Sequence, residues 1–159
     1  MQTTMNNSNE GTSGMTIKRR FTTSGEDPFE SFDYITTDLE IRNMDGTVAD
    51  NMLGVCFPSG FEGVPGTVAA QKYLRKAGVP AALRPVPEEG VPTWLQRSAP
   101  DEEKLQNLEA SERYIAETDF RQMFRRLAGT WTYWGWKYGY FASEEDARSY
   151  YDEMCFLIA

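Results

Sequence analysis

Any chemistry in this chain has to be done without histidine, because the 159 residues contain none. Serine–histidine and cysteine–histidine catalytic pairs, and histidine-ligated metal sites, are excluded at once. Two cysteines remain, Cys56 and Cys155, far apart in the sequence and each set among apolar neighbours. That setting is typical of cysteine used as a small buried hydrophobe. The pair is too few for a four-cysteine zinc site or a disulfide scaffold, and nothing in the sequence brings the two together for redox work. Asp101-Glu102-Glu103 is the one acidic run in the middle of the chain. Three consecutive carboxylates point in different directions on a helix, so the run reads as a solvated helix start rather than a metal site. The glycine- and proline-rich stretch 56–66 has neither the phosphate-loop nor the dinucleotide spacing and reads as an ordinary loop. Lys72, Arg75 and Lys76 cluster where the end of a helix favours cations.

The densest feature is aromatic. Trp131, Tyr133, Trp134, Trp136, Tyr138, Tyr140 and Phe141 follow one another closely. They suit either a stacking platform for bases or sugars, or an aromatic core and docking face. A nucleic-acid platform wants a basic surround. This chain has 16 Lys and Arg against 24 Asp and Glu, a net charge of −8. Core or docking is therefore the reading preferred here.

These residues must be positioned by elements the sequence also suggests. Residues 1–16 are polar and poor in apolar side chains, and read as a disordered tail. The tail lacks the apolar core of a signal peptide, and no stretch is apolar enough to span a membrane. A cytoplasmic, reducing location is expected. Asp38 to Asn43 alternates polar and apolar residues, and Asp45-Gly46 follows, so a β-hairpin is expected at 34–50. A helix is expected from Thr67 to Ala77, capped by Thr67, with Ala70, Tyr73, Leu74 and Ala77 on one face and Gly78 beyond its end. Residues 84–110 read as an irregular, proline-punctuated connection pinned by Trp94 and Leu95, with a short helix after Pro100.

Phe120, Phe124, Leu127, Trp131 and Trp134 are spaced by 4, 3, 4 and 3. They predict a helix over 118–137 that runs through Gly129, whose place there implies close packing by another backbone. Ser143 caps a second helix, with Ala147, Tyr150, Tyr151 and Met154 on its apolar face. The two should form an antiparallel pair. The apolar end Cys155-Phe156-Leu157-Ile158-Ala159 carries no stop signal, so the native context is expected to continue. The expected fold is mainly α, with a β-hairpin near its start, a C-terminal antiparallel helix pair and a disordered tail. From the residues alone two functions stay open: a docking module of a larger enzyme, or an independent binding module with an aromatic face.

Four ordered blocks carry a resemblance. They are Arg19-Arg20-Phe21-Thr22-Thr23 with Asp27-Pro28-Phe29; Gln71-Lys72-Tyr73-Leu74-Arg75-Lys76-Ala77-Gly78-Val79-Pro80; Val91-Pro92-Thr93-Trp94-Leu95 through Pro100-Asp101-Glu102; and Arg126 through Phe141 followed by Ser143-Glu144-Glu145-Asp146-Ala147-Arg148. Over residues 17–159 the chain resembles the N-terminal domain of adenosylcobalamin-dependent (class II) ribonucleotide reductase, with Trp134-Gly135-Trp136-Lys137 the strongest block. The resemblance implies part of an enzyme that reduces ribonucleotides by thiyl-radical chemistry on a separate α/β barrel, served by a thioredoxin-like reductant. It implies a helical domain that packs on that barrel and holds no reacting cysteine. No catalytic or metal role is transferred to any residue, Cys56 and Cys155 included, and the cofactor-binding residues are not assigned. Thr130 stands where many relatives carry cysteine. The expected working partner is a catalytic-barrel polypeptide. The docking surface is expected at Phe156, Leu157 and Ile158 and at whichever tryptophans stay exposed. The alternative is a truncated, inactive remnant or an independent protein-interaction module with an aromatic face.

Overall fold

The computed structural model describes residues 14–159, so most of the tail expected over 1–16 lies outside the described residues. In chain order the elements are β1 (Tyr34–Arg42), β2 (Val48–Pro58), α1 (Val64–Tyr73), β3 (Val79–Pro80), β4 (Leu83–Pro85), β5 (Ser98–Pro100), α2 (Glu102–Gln106), β6 (Tyr114–Ile115), α3 (Phe120–Lys137) and α4 (Glu144–Ile158). Helix takes 37% and strand 23% of the structure. The expectation of a mainly α fold is therefore corrected to a mixed α/β fold with three two-stranded antiparallel sheets.

The hairpin forms where the local signal lies. Gly46 sits at φ 85° in the turn, and the Asn43 N–H donates to the Thr47 carbonyl at 2.8 Å. Its second strand, however, runs on to Pro58, pairing Ile35 with Phe57 and Thr36 with Cys56. The first three residues of the stretch expected as a loop, 56–58, are thus strand, and its last three, 64–66, open α1 (Val64–Tyr73). Alternation along β1 and β2 turns Leu39, Val55 and Phe57 inward. They meet Ala70 and Leu74 at the end of α1, Phe120, Phe124 and Ala128 of α3, and Cys155 of α4. Phe120 packs 5.3 Å from Phe57 and edge-on to Phe124 at 5.8 Å, centroid to centroid.

Helix α1 starts and stops earlier than Thr67–Ala77. Gly63 is its cap, and Pro65 occupies the first turn, where a missing N–H costs nothing. It stops at Tyr73 because the next backbone groups are drawn to Glu117: the Arg75 N–H donates to the Glu117 carboxylate at 2.9 Å. The Glu117 N–H in turn donates to the Arg75 carbonyl at 2.8 Å. Tertiary pairing wins over local helix propensity here. Ala70 and Leu74 do reach the core, whereas Tyr73 and Ala77 face solvent.

The proline-rich segment is also more regular than expected. Val79 and Pro80 pair with Ile115 and Tyr114, and Leu83 to Pro85 pair with Pro100 to Ser98. The result is a nested antiparallel ribbon. Its prolines are tolerated because two-stranded ribbons leave one edge free of hydrogen-bonding demand. Trp94 and Leu95 anchor it as expected. Leu95 is buried, and the Trp94 indole N–H donates to Glu144 at 3.0 Å. Glu88 accepts from the Tyr133 hydroxyl at 2.8 Å and from Lys137 at 2.6 Å, which ties the ribbon to α3.

The antiparallel pair α3 and α4 forms, α3 starting two residues later than expected and ending where expected, and Ser143 caps α4. Asp119, with its side chain on the Arg121 N–H at 2.8 Å, caps α3. The buried stripe of α3 departs from the aromatic seam. It runs through Phe120, Phe124, Ala128, Thr132 and Gly135, and Trp134 is left outside. The close approach belongs to Gly135, not Gly129. A Cβ on Gly135 would lie 2.6 Å from the Phe141 ring, whereas at Gly129 the nearest atom is 3.8 Å away, on Tyr151. Two substitutions should therefore have opposite signs. Gly135→Ala is expected to destabilise the domain by about 1–2 kcal/mol through overpacking. Gly129→Ala is expected to stabilise it by roughly 0.5–1 kcal/mol through helix propensity. Urea midpoints of the two variants check this.

Candidate functional site

The two cysteines sit in different settings. Cys155 is fully buried; burial, chiefly, pushes its thiol up to about 12, far from a thiolate at neutral pH. Cys56 is half-buried on β2, with the Arg121 guanidinium 3.9 Å from its sulfur. Arg121 is itself held by Asp119 and lies over the Tyr34 ring at 4.6 Å. The two thiols are both free, as the sequence reading had them. Among the described residues no group of three or more Cys, Asp or Glu side chains could hold a metal ion. Asp101 caps α2 by accepting from the Lys104 N–H at 3.2 Å, so the acidic run is a helix start. No helix of the described residues is long and apolar enough to cross a membrane.

The aromatic cluster divides into three jobs. Tyr133 and Trp136 hold the ribbon, the latter through its indole N–H on the Gly90 carbonyl at 2.6 Å. Phe141 packs on Tyr150 at 5.3 Å, filling the space beside Gly135. The rest make a surface. Trp134 is 54% exposed, Tyr138 74% and Tyr140 56%. With Trp131, Tyr150 and Met15 they line an open cleft of about 560 Å3 at the end of α3. Met15 reaches the cleft because its backbone pairs with the α3–α4 connection. Its N–H donates to the Tyr140 carbonyl at 2.7 Å, and the Ala142 N–H donates back to the Met15 carbonyl. The sequence marked these aromatics as a group. Which of them stay open depends on the helix rotation set by Ala128, Thr132 and Gly135.

The chain end contributes less surface than expected. Phe156 stacks flat on Phe21 at 5.2 Å and lies 5.0 Å from Phe32, and Ile158 packs against the core. Of the three residues only Leu157 is open. Thr130 is exposed and donates to the Arg126 carbonyl at 2.7 Å. Two clusters of polar side chains escaped sequence reasoning. Glu117 with Arg126 clamps α1 to α3, and Asp146, Asp152 and Glu153 on α4 hold residues 17–22. Both join parts distant in the chain, so no local spacing announces them.

The described residues thus form a mixed α/β domain with charged clusters joining its distant parts and an open aromatic cleft at the end of α3. Residues 35–159 match the family described as class II vitamin B12-dependent ribonucleotide reductase. The chain is 50% identical over 145 residues to the vitamin B12-dependent ribonucleotide reductase of Bradyrhizobium diazoefficiens, covering 91% of this chain and 12% of that protein. It is 47% identical over 145 residues to the protein of the same name from Agrobacterium fabrum, covering 91% of this chain and 11% of that one. The chain belongs to the class II vitamin B12-dependent ribonucleotide reductase family. It spans about a tenth of the length of these relatives.

Proposed function

We propose that this chain is the N-terminal, non-catalytic portion of a class II ribonucleotide reductase and works by packing on a polypeptide that carries the catalytic barrel. The whole enzyme would make deoxyribonucleotides in the cytoplasm, with adenosylcobalamin initiating thiyl-radical chemistry on the barrel and a thioredoxin-like dithiol supplying electrons. The observation that carries this is the family match across 35–159, together with the burial of Cys155 away from any partner thiol. The aromatic cleft does not fit adenosylcobalamin. Among the described residues its lining offers rings, a thioether and a few hydroxyls, with no charged or amide side chain for the amide fringe of a corrin. No step is therefore routed through the cofactor on this chain. Co-expression with the barrel polypeptide of such a reductase tests the reading. The two are expected to co-purify, with ribonucleotide reduction by the pair and none by this chain alone. Turnover by the purified chain alone, or a failure to associate, would overturn it.

A further inference from the structure

The cleft at the end of α3 has a charge preference of its own. Among the described residues no charged side chain lines it. Its outer rings, on Trp134, Tyr138 and Tyr140, are half or more exposed, so their electron-rich faces are reachable. The last turn of α3, which supplies Trp134, Gly135 and Tyr138, is the negative pole of an 18-residue helix. The cation that would normally offset that pole, Lys137, is held away by Glu88 at 2.6 Å. The chain around it carries a net charge of −8. A neutral apolar guest would use the rings alone, and an anion would be repelled by the rest. A cation uses all of these features together. The cleft is open to solvent and about 560 Å3 in volume, room enough for a planar side-chain group.

We infer that the cleft receives the guanidinium group of an arginine side chain presented by the catalytic-barrel polypeptide, an inference that rests on the docking reading above. Arginine suits it better than lysine. The planar guanidinium stacks on an indole or phenol face and gives up its hydration more readily than a compact ammonium.

The test has two arms. In the first, the full chain is titrated with argininamide and with citrullinamide, whose ureido side chain is the neutral isostere of the guanidinium, while the indole N–H resonances of the four tryptophans are followed. The Trp131 and Trp134 signals should move. Those of Trp94 and Trp136, held by Glu144 and Gly90, should stay. Argininamide should bind about tenfold more tightly than citrullinamide. Equal binding of the two, or shifts confined to Trp94 and Trp136, overturns the inference. In the second arm, Trp134→Ala and Tyr138→Ala, both at exposed positions, are paired with the barrel polypeptide. Each should weaken association about tenfold with an unchanged circular dichroism spectrum; undiminished association overturns the assignment. Should the wild-type chain fail to pair at all, the docking reading falls and the barrel falls with it as the source of the arginine. The argininamide arm separates that failure from a cleft with no taste for cations.

Discussion

Arg126→Met is expected to destabilise the domain by about 3 kcal/mol at neutral pH and to change how its stability follows pH. Arg126 donates to both oxygens of Glu117, at 3.1 and 2.8 Å, and to the Tyr73 carbonyl at 2.8 Å, closing the end of α1. Glu117 is only 3% exposed. Burial alone would push its carboxyl up. The Arg126 hydrogen bonds and the Arg75 N–H outweigh that and hold it below the ordinary value of 4.5. A carboxyl depressed in the folded state adds stability above its unfolded value, and that stability is lost as pH falls through the lower folded value. Without Arg126, burial acts with the opposing pair removed, and the folded-state carboxyl moves above its unfolded value. The variant then loses stability as pH rises through that value. The gap between wild type and Arg126→Met should therefore be large at pH 7 and shrink toward pH 4. Urea midpoints at the two pH values measure it, and a gap that does not change with pH rules out Glu117 as its origin.

The same clamp shows where local reading of the sequence ran out. The hairpin turn was legible because Asp45-Gly46 carries its own geometry, and the α3–α4 pair because helical spacing and the Ser143 cap are local signals. The end of α1 was not, because Leu74 and Arg75 are pulled out of the helix by Glu117, more than forty positions away. The ribbon from Val79 to Ile115 was missed for a related reason. Proline density argues against helix, but strand pairing between Leu83 and Pro100 leaves no mark at either end. On α3 the seam of large residues pointed to Trp134, whereas the buried stripe continues through small ones, Ala128, Thr132 and Gly135. Burial there is decided by how closely two helices approach, which residue size permits and hydrophobicity does not report. The aromatic cluster was visible as composition. Its division into ribbon ties, core and open cleft follows from that rotation and from the pairing of Met15 with the α3–α4 connection.

Glu153→Ala is expected to destabilise the domain by about 3 kcal/mol and to release residues 15–24 first. The Glu153 carboxylate is nearly buried on α4. It accepts from the backbone N–H groups of Arg20 at 3.1 Å, Phe21 at 3.1 Å and Thr22 at 2.9 Å, and from the Thr22 hydroxyl at 2.7 Å. On the same helix Asp152 takes Arg19 at 2.7 Å and Asp146 takes the Ile17 N–H at 2.7 Å. Three acids of α4 thus hold the segment that carries Met15 into the cleft and Phe21 onto Phe156. Burial raises the Glu153 carboxyl, and the Thr22, Phe21 and Arg20 hydrogen bonds more than offset it, leaving it below the ordinary 4.5. The latch is therefore closed above that value and opens as pH falls through the lower folded-state value. Asp146 is also depressed, chiefly by its Ser143 hydrogen bond and then by the Ile17 N–H, so acid should loosen the Ile17 end of the segment as well. Glu153→Gln keeps one acceptor but brings an N–H₂ group toward backbone donors, so it should lose much of the stabilisation and flatten the acid dependence. Amide exchange of residues 17–22 at pH 7 and about pH 2.5 reads this directly. Wild type should be protected at pH 7 and exchange faster at the acid pH relative to the core, and Glu153→Gln should exchange fast at both. Equal protection in the two proteins would show that the segment is held by the Phe21–Phe156 stack and not by the carboxylate.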